Sequence, residues 1–183
     1  MSTEQPEQPE QPEQPEQPEQ PEQPEKPAPV DLAAALASFD ALWSPHIVTR
    51  VNDYDVRVAK VEGEHIWHVH DDTDEFFLVL DGELFISLRE STEPAGASRG
   101  PGEPPGATRD SAQGPVPERT VRLPRGAVFT VPRGTEHRPY APTGAAILLF
   151  EPTGTSSVGD RHDDVPTHVD ATTGHTLTTA PNN

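Results

Sequence analysis

The chain has 183 residues, a net charge of −18, 23 prolines, 13 glycines and no cysteine, which leaves room for one packed domain flanked by segments with little to bury. So acidic a chain repels nucleic acid and anionic membranes, no run approaches the roughly 18 apolar residues that span a bilayer, and the polar, acidic beginning is no secretory signal. The expectation is a cytoplasmic protein with no nucleic-acid or membrane partner, unable to form a disulfide or offer a thiolate to a metal.

From Glu4 the triplet Glu-Gln-Pro occurs seven times and then runs into Glu25-Lys26-Pro27. Residues 1–26 hold eight Glu and one Lys, so −7 of the charge lies there and −11 in the rest. Proline at every third position forbids helix and sheet ladders but matches the three-residue turn of polyproline II. Residues 1–29 are therefore expected to form a disordered, solubilising tail, with recognition as a proline-rich ligand as the alternative.

Folding begins at Asp31. In "DLAAALASFDALW" the residues Leu32, Leu36, Phe39 and Trp43 fall on one helical stripe, with Asp31 as N-cap and Ser44-Pro45 as the stop. From Ile47 the periodicity becomes that of strands. "HIVTRV", "YDVRVAKVEG", "EHIWHVH", "EFFLVL", "ELFISL", "TVRL", "AVFTV" and "AAILLF" are short β-rich runs separated by turn signals, among them Asp81-Gly82 and Thr143-Gly144. Many short strands without intervening helices predict an all-β, antiparallel barrel or sandwich over residues 30–154. Residues 90–119 are rich in Pro, Gly and Ser and read as a flexible insertion between two paired strands. Residues 155–183 are polar and aperiodic and read as an unstructured tail, whose His162, His168 and His175 show no ligand spacing.

The chemistry concentrates in "HIWHVHDDTDEFFLVLDGELFISL". Side chains two apart on a strand share a face, so His68 and His70 project together while His65, Trp67 and Val69 point the other way. Glu75 opens the next run, and it comes close to both imidazoles if the two strands are neighbours. Two neutral imidazoles and a carboxylate form a facial set for a divalent metal, with positions left for water, substrate or O₂. A fourth candidate is His137, just beyond the Pro132-Arg133-Gly134 turn. The Asp71–Asp74 turn lacks the alternating ligands, central Gly and final Glu of a calcium loop. Ile66, Phe77 and Val79 share faces with the ligands and predict an apolar wall. Arg133 and Arg138 lie near the mouth, Tyr140 is a candidate acid or hydrogen-bond donor at the rim, and His46 and His65 are assigned structural or solvated roles.

These spacings resemble the two motifs of the cupin superfamily. Gly63, His68, His70, Glu75 and Gly82 occupy the places of the first, with four residues after Gly63 where the general motif has five. Gly126, Pro132, Gly134 and His137 occupy the places of the second, with Ala141 standing where that motif has an Asn that is not a ligand. "WSPHIV", "DDTDE" and "VPRGTEHRP" are similar to the small single-domain cupins labelled mannose-6-phosphate-isomerase-like. The resemblance implies a cupin-type antiparallel β-barrel (a double-stranded β-helix or jelly roll). It further implies a metal held by His68, His70, Glu75 and His137, and a homodimer paired through edge strands. The donor set suits Fe, Mn, Zn, Ni, Co or Cu. The expected function is a mononuclear metalloenzyme acting on a small-molecule substrate, with oxygenation favoured and Glu75, His137 and Tyr140 as candidate catalytic groups. The alternatives are a sugar or carbonyl-compound isomerase or epimerase, and a non-catalytic, metal-stabilised binding module.

Overall fold

The computed structural model of the protein describes residues 29–89 and 117–177. The Glu-Gln-Pro repeat and most of the 90–119 insertion lie outside the described residues. The described residues form one helix, α1 (Leu32–Ala37), and nine strands: β1 (His46–Val51), β2 (Tyr54–Glu64), β3 (His68–Val69), β4 (Glu75–Arg89), β5 (Glu118–Pro124), β6 (Val128–Val131), β7 (Glu136–Pro152), β8 (Arg161–His162) and β9 (His175–Thr176).

Asp31 caps α1 as expected, its carboxylate accepting from the Ala33 and Ala34 amides at 2.8 and 3.2 Å, a cap that contributes about 1 kcal/mol. The helix stops at Ala37 instead of continuing to Trp43. The Ser38 hydroxyl and amide both bond the Ala35 carbonyl, at 2.7 and 3.1 Å, and close the last turn. Beyond it the chain is irregular, and Trp43 is held by the sheet rather than by a helix. Its amide donates to the Lys60 carbonyl at 2.8 Å and its indole to the Glu62 carbonyl at 2.7 Å. Trp43 is buried with φ +51°, a left-handed conformation that costs on the order of 1–3 kcal/mol for a bulky residue and that these bonds impose.

The strands lie in the order β5-β4-β7-β2-β1-β9, with β6 on β4 and β3 between β7 and β8. All pairings are antiparallel except β1 with β9. The order ends at β5 and β9, so the sheet folds over its own core without closing into a ring. Two expected turns prove to be bulges. The runs at 75–80 and 83–88 are one strand, β4, and β7 passes straight through Thr143-Gly144. Register slips between Val79 and Asp81 and again between Gly82 and Phe85 bend the β4–β7 pair. Gly82 (φ +73°) is required there, because a Cβ would lie 2.5 Å from the Gly144 carbonyl oxygen. On the concave side Val61, Phe77, Leu84, Ile86 and Ile147 form the core.

The segment from Thr155 corrects the sequence reading: residues 155–177 pack on the domain. Val158 and Val169 are buried in the same core, β8 pairs with β3, and β9 pairs with β1. Its few apolar residues are too sparse to show a period, and side-chain bonds hold the rest. Asp170 accepts from the Ser44 hydroxyl at 2.7 Å and lies 2.6 Å from His175 Nε2, while the Arg57 guanidinium donates to the Thr155 carbonyl at 2.9 Å.

Candidate metal centre

Three strands and one loop supply the centre. His68 lies on β3, His70 one residue beyond its end, Glu75 at the start of β4 and His137 near the start of β7. His68 and His137 face each other as a directly paired couple across the β3–β7 ladder. The expected neighbouring of β3 and β4 does not occur among the described residues. The first half of β4 instead pairs with β6 and with the far end of β7, and the curvature of the sheet carries Glu75 back to the imidazoles. One ligand atom from each of the four residues lies within 4.8 Å of every other. All four side chains are buried, His68 and His137 at 1% exposure.

The hydrogen bonds fix which nitrogens face the centre. His68 Nδ1 lies 3.0 Å from the Ile66 carbonyl and His137 Nδ1 lies 2.9 Å from the Thr135 carbonyl. A carbonyl only accepts, so both Nδ1 atoms carry a proton, and Nε2 of each ring is the atom that faces the centre. Those atoms confront the Glu75 carboxylate: Oε2 is 2.6 Å from His137 Nε2, 3.4 Å from His70 Nε2 and 3.7 Å from His68 Nε2. His68 Nε2 and His70 Nε2 are buried with no hydrogen-bond partner. Each such orphan costs about 1–3 kcal/mol, a cost that a cation bound among these atoms would remove. Three imidazole nitrogens and one carboxylate oxygen therefore fit a divalent transition metal. Outer bonds from Nδ1 to carbonyls are the usual way to aim such ligands.

Burial opposes charge on Glu75, yet the His137, His68 and His70 rings around it hold it well below the usual carboxylate range. Burial lowers His68. Burial would lower His70 as well, but the hydrogen bond and charge of Glu75 leave it raised overall. Sequence patterning did not single out the acids nearby. One step beyond the Phe76–Phe150 pair, buried Glu151 on β7 lies opposite Glu75, and Glu151 in turn pairs with Asp55 on β2. Between the two acids Arg57, fully buried, donates to Glu151 at 2.9 Å and to Asp55 at 3.2 Å. Burial and the Glu75 charge push Glu151 up to about 8, outweighing the attraction of Arg57. The signal for these residues was parity: Ile147, Leu149 and Glu151 share one face of a strand, as do Asp55, Arg57 and Ala59.

Other sequence candidates lie elsewhere. Tyr140 is three residues from His137 on a strand that alternates, so it projects from the opposite face and stacks on Phe85 at 5.1 Å. Arg133 pairs with Asp74 at 3.0 Å, and Arg138 pairs with Glu64 at 2.9 Å beside the Trp67 ring. The apolar wall holds, since Ile66, Phe77 and Val79 are all buried. His46 stacks on Phe39 at 3.9 Å. His65 does not point away. Its ring lies 5.0 Å from His68 and 5.0 Å from Trp43, burial pushes its imidazole down to about 3, and its Nδ1 is buried without a partner. It lines a small, half-open, largely apolar cavity of about 30 Å³ with Trp43, Ala59, Val61 and Leu149.

No protein-family model matches the sequence. Over 91 residues the chain is 35% identical to an uncharacterized protein, YdbB, of Bacillus subtilis (strain 168), an alignment covering 50% of this chain and 70% of that one. Among solved structures it is similar to a cupin-2 domain containing protein from Shewanella frigidimarina, at 29% identity and a TM-score of 0.51, covering 67% of this chain and 93% of the other. Hydroquinone 1,2-dioxygenase from Sphingomonas sp. TTNP3, in complex with 4-nitrophenol, matches at 18% identity and a TM-score of 0.51, covering 68% of this chain and 32% of the other, a likeness of fold alone.

Proposed function

Because the chain belongs to the family of the Bacillus subtilis relative and has the cupin fold, we propose that it is a mononuclear metalloenzyme acting on a small organic molecule, with oxygenation as its reaction. The observation that carries this reading is the convergence of three buried imidazoles on the one Glu75 carboxylate, with His68 and His137 aimed there by Nδ1 bonds to peptide carbonyls. His68, His70, Glu75 and His137 would hold the ion. Nitrogen and oxygen donors without sulfur suit Fe(II), Mn(II), Co(II), Ni(II), Cu(II) or Zn(II). When bound, Fe(II) or Mn(II) supplies redox chemistry toward O₂, whereas Zn(II) supplies a Lewis acid.

The chain's own residues exclude water and shape the substrate. Ile66, Phe77 and Val79 give the interior an apolar wall. The cavity of about 30 Å³ lined by Trp43, Val61, Leu149 and His65 is separate, since none of the four candidate ligands lines it. The arginines near the mouth are paired with Asp74 and Glu64, so no free guanidinium is offered there to a phosphate. A small, largely apolar molecule suits these walls better than a sugar phosphate does.

Anaerobic reconstitution with each metal, followed by oxygen-uptake measurements over a panel of enols, diketones and thiols, tests the reading. Metal-dependent uptake that is lost in His137→Ala is the expected result. Metal binding without uptake for any member of the panel counts against oxygenation. Glu75 supports a second reading, because a carboxylate held ionised 2.6 Å from an imidazole is equipped to move a proton, as isomerisation of a carbonyl compound requires. Solvent deuterium entering recovered substrate without O₂ consumption would select that reaction. The homodimer expected from the resemblance is tested separately by light scattering.

A further inference from the structure

We infer that Gly159 and Asp160, in the C-terminal segment, are positioning residues for the metal ligands His68 and His70, so that the centre is complete only when residues 155–177 are docked. The inference rests on the proposed metal centre but concerns residues outside it.

β3 is two residues long and carries or adjoins two ligands, and a strand so short has little stability of its own. It is held on one edge by β7, through His68 and His137, and on the other by β8, which pairs His68 with His162 and Val69 with Arg161. Three contacts from the segment lock this arrangement. The Asp160 amide donates to the Val69 carbonyl at 2.8 Å, the Asp160 carboxylate accepts from the Asp71 amide at 2.8 Å, and the Asp163 amide donates to the Trp67 carbonyl at 3.1 Å. The residues bonded from this side, Trp67, Val69 and Asp71, bracket both histidines. Arg161 adds an ion pair to Asp71 at 2.6 Å.

Gly159 makes the closest approach. With φ +71° it lies against β3, where a Cβ would stand 2.5 Å from the Val69 carbonyl oxygen and 3.2 Å from Cδ2 of the His68 ring. Cδ2 neighbours Nε2, the atom aimed at the cluster, so any side chain at 159 would press on the imidazole edge that sets the ligand's direction. The far end of the segment is fastened independently, by the Ser44 hydroxyl to Asp170 at 2.7 Å and by the His175 amide to the Pro45 carbonyl at 2.9 Å. A backbone clamp on the ligand strand and a steric stop on a ligand ring are what a positioning element consists of.

The test uses the full chain, Co(II) as probe, titration calorimetry for affinity and the visible d–d spectrum for geometry. Removing an outer support of this kind typically weakens metal binding about 10- to 100-fold. Asp160→Ala, which deletes the acceptor for the Asp71 amide, is expected to lose affinity in that range and to shift the spectrum, while metal-free melting stays near wild type. Asp160→Asn keeps a carbonyl acceptor and is expected to restore both. Gly159→Ala should show the larger loss, and if it fails to fold, the Asp160 pair decides alone. Wild-type protein that takes up no Co(II) overturns this inference together with the metal centre. Wild-type uptake with Asp160→Ala within twofold and an unchanged spectrum overturns this inference alone. So does a loss of affinity that Asp160→Asn fails to restore.

Discussion

Two buried polar clusters share the interior of the domain, and they differ in how their charges are met. In one, Arg57 lies between Asp55 and Glu151 and bonds both, as well as the Thr155 carbonyl, while Asp55 receives further bonds from Arg50 and Thr153. Burial works against charge on Asp55, but the Arg50, Thr153 and Arg57 bonds bring it below its ordinary value. In the other, three imidazoles and Glu75 converge without a Lys or Arg side chain in the group, and two nitrogens are left without partners. A cluster that carries its own cation ties strands together. A cluster of imidazoles and one carboxylate has the donors that a metal ion takes.

The largest effect expected from breaking this distinction is Arg57→Ala. It strands buried carboxyl groups, a change that typically costs about 3–5 kcal/mol, visible as a lower urea midpoint whether or not metal is present. An Arg57→Ala protein as stable as wild type would mean that the cation is not what holds Asp55 and Glu151 together. Next comes metal itself: at a free concentration 100 times its Kd, a divalent ion stabilises the folded state by about 2.7 kcal/mol. Melting of wild type should rise accordingly and fall back with chelator, whereas His137→Ala should show neither change.

A smaller effect concerns His65, which is folded into the space between the cavity and His68. Folded, its imidazole stays neutral down to about pH 3, while in the unfolded chain it takes up a proton near pH 6.5. Between those values the unfolded state binds more protons, so acid favours unfolding, by up to about 1.4 kcal/mol per pH unit from this one group. Urea titrations from pH 7 to 4 should show that slope in wild type and a shallower one in His65→Leu. The smallest effect is Tyr140→Phe, which removes a hydroxyl on the far side of the sheet and should change stability by less than about 0.5 kcal/mol, with metal affinity unaltered. A marked loss of affinity would return Tyr140 to the site.

Strand parity in the sequence sets His68 and His70 on one face, and motif spacing adds Glu75 and His137, the four side chains that the fold gathers into one cluster. The same parity rule applied three residues beyond His137 would have turned Tyr140 outward, and applied along Ile147 and Leu149 it would have turned Glu151 inward. The length of α1 was not legible, because Ser38 ends it through two bonds to one carbonyl while the apolar stripe runs on to Trp43. Nor was the docking of residues 155–177. Apolar periodicity signals burial by hydrophobic contact, and this segment is held mainly by carboxylates, hydroxyls and amides whose partners lie far away in sequence, as Asp170 with Ser44 and Asp160 with Asp71 do.

His68 and His137 are oriented by the same device, a ring nitrogen bonded to the peptide oxygen two residues earlier in the chain. Neither oxygen belongs to a side chain, so exchanging Ile66 or Thr135 for another amino acid leaves the bond's chemistry untouched. Drift at those two positions is free to retune the pocket wall or the surface while both rings keep their bearing. Only a change to the main chain itself, such as replacing the amide that follows with an ester to weaken the acceptor, reaches the device directly.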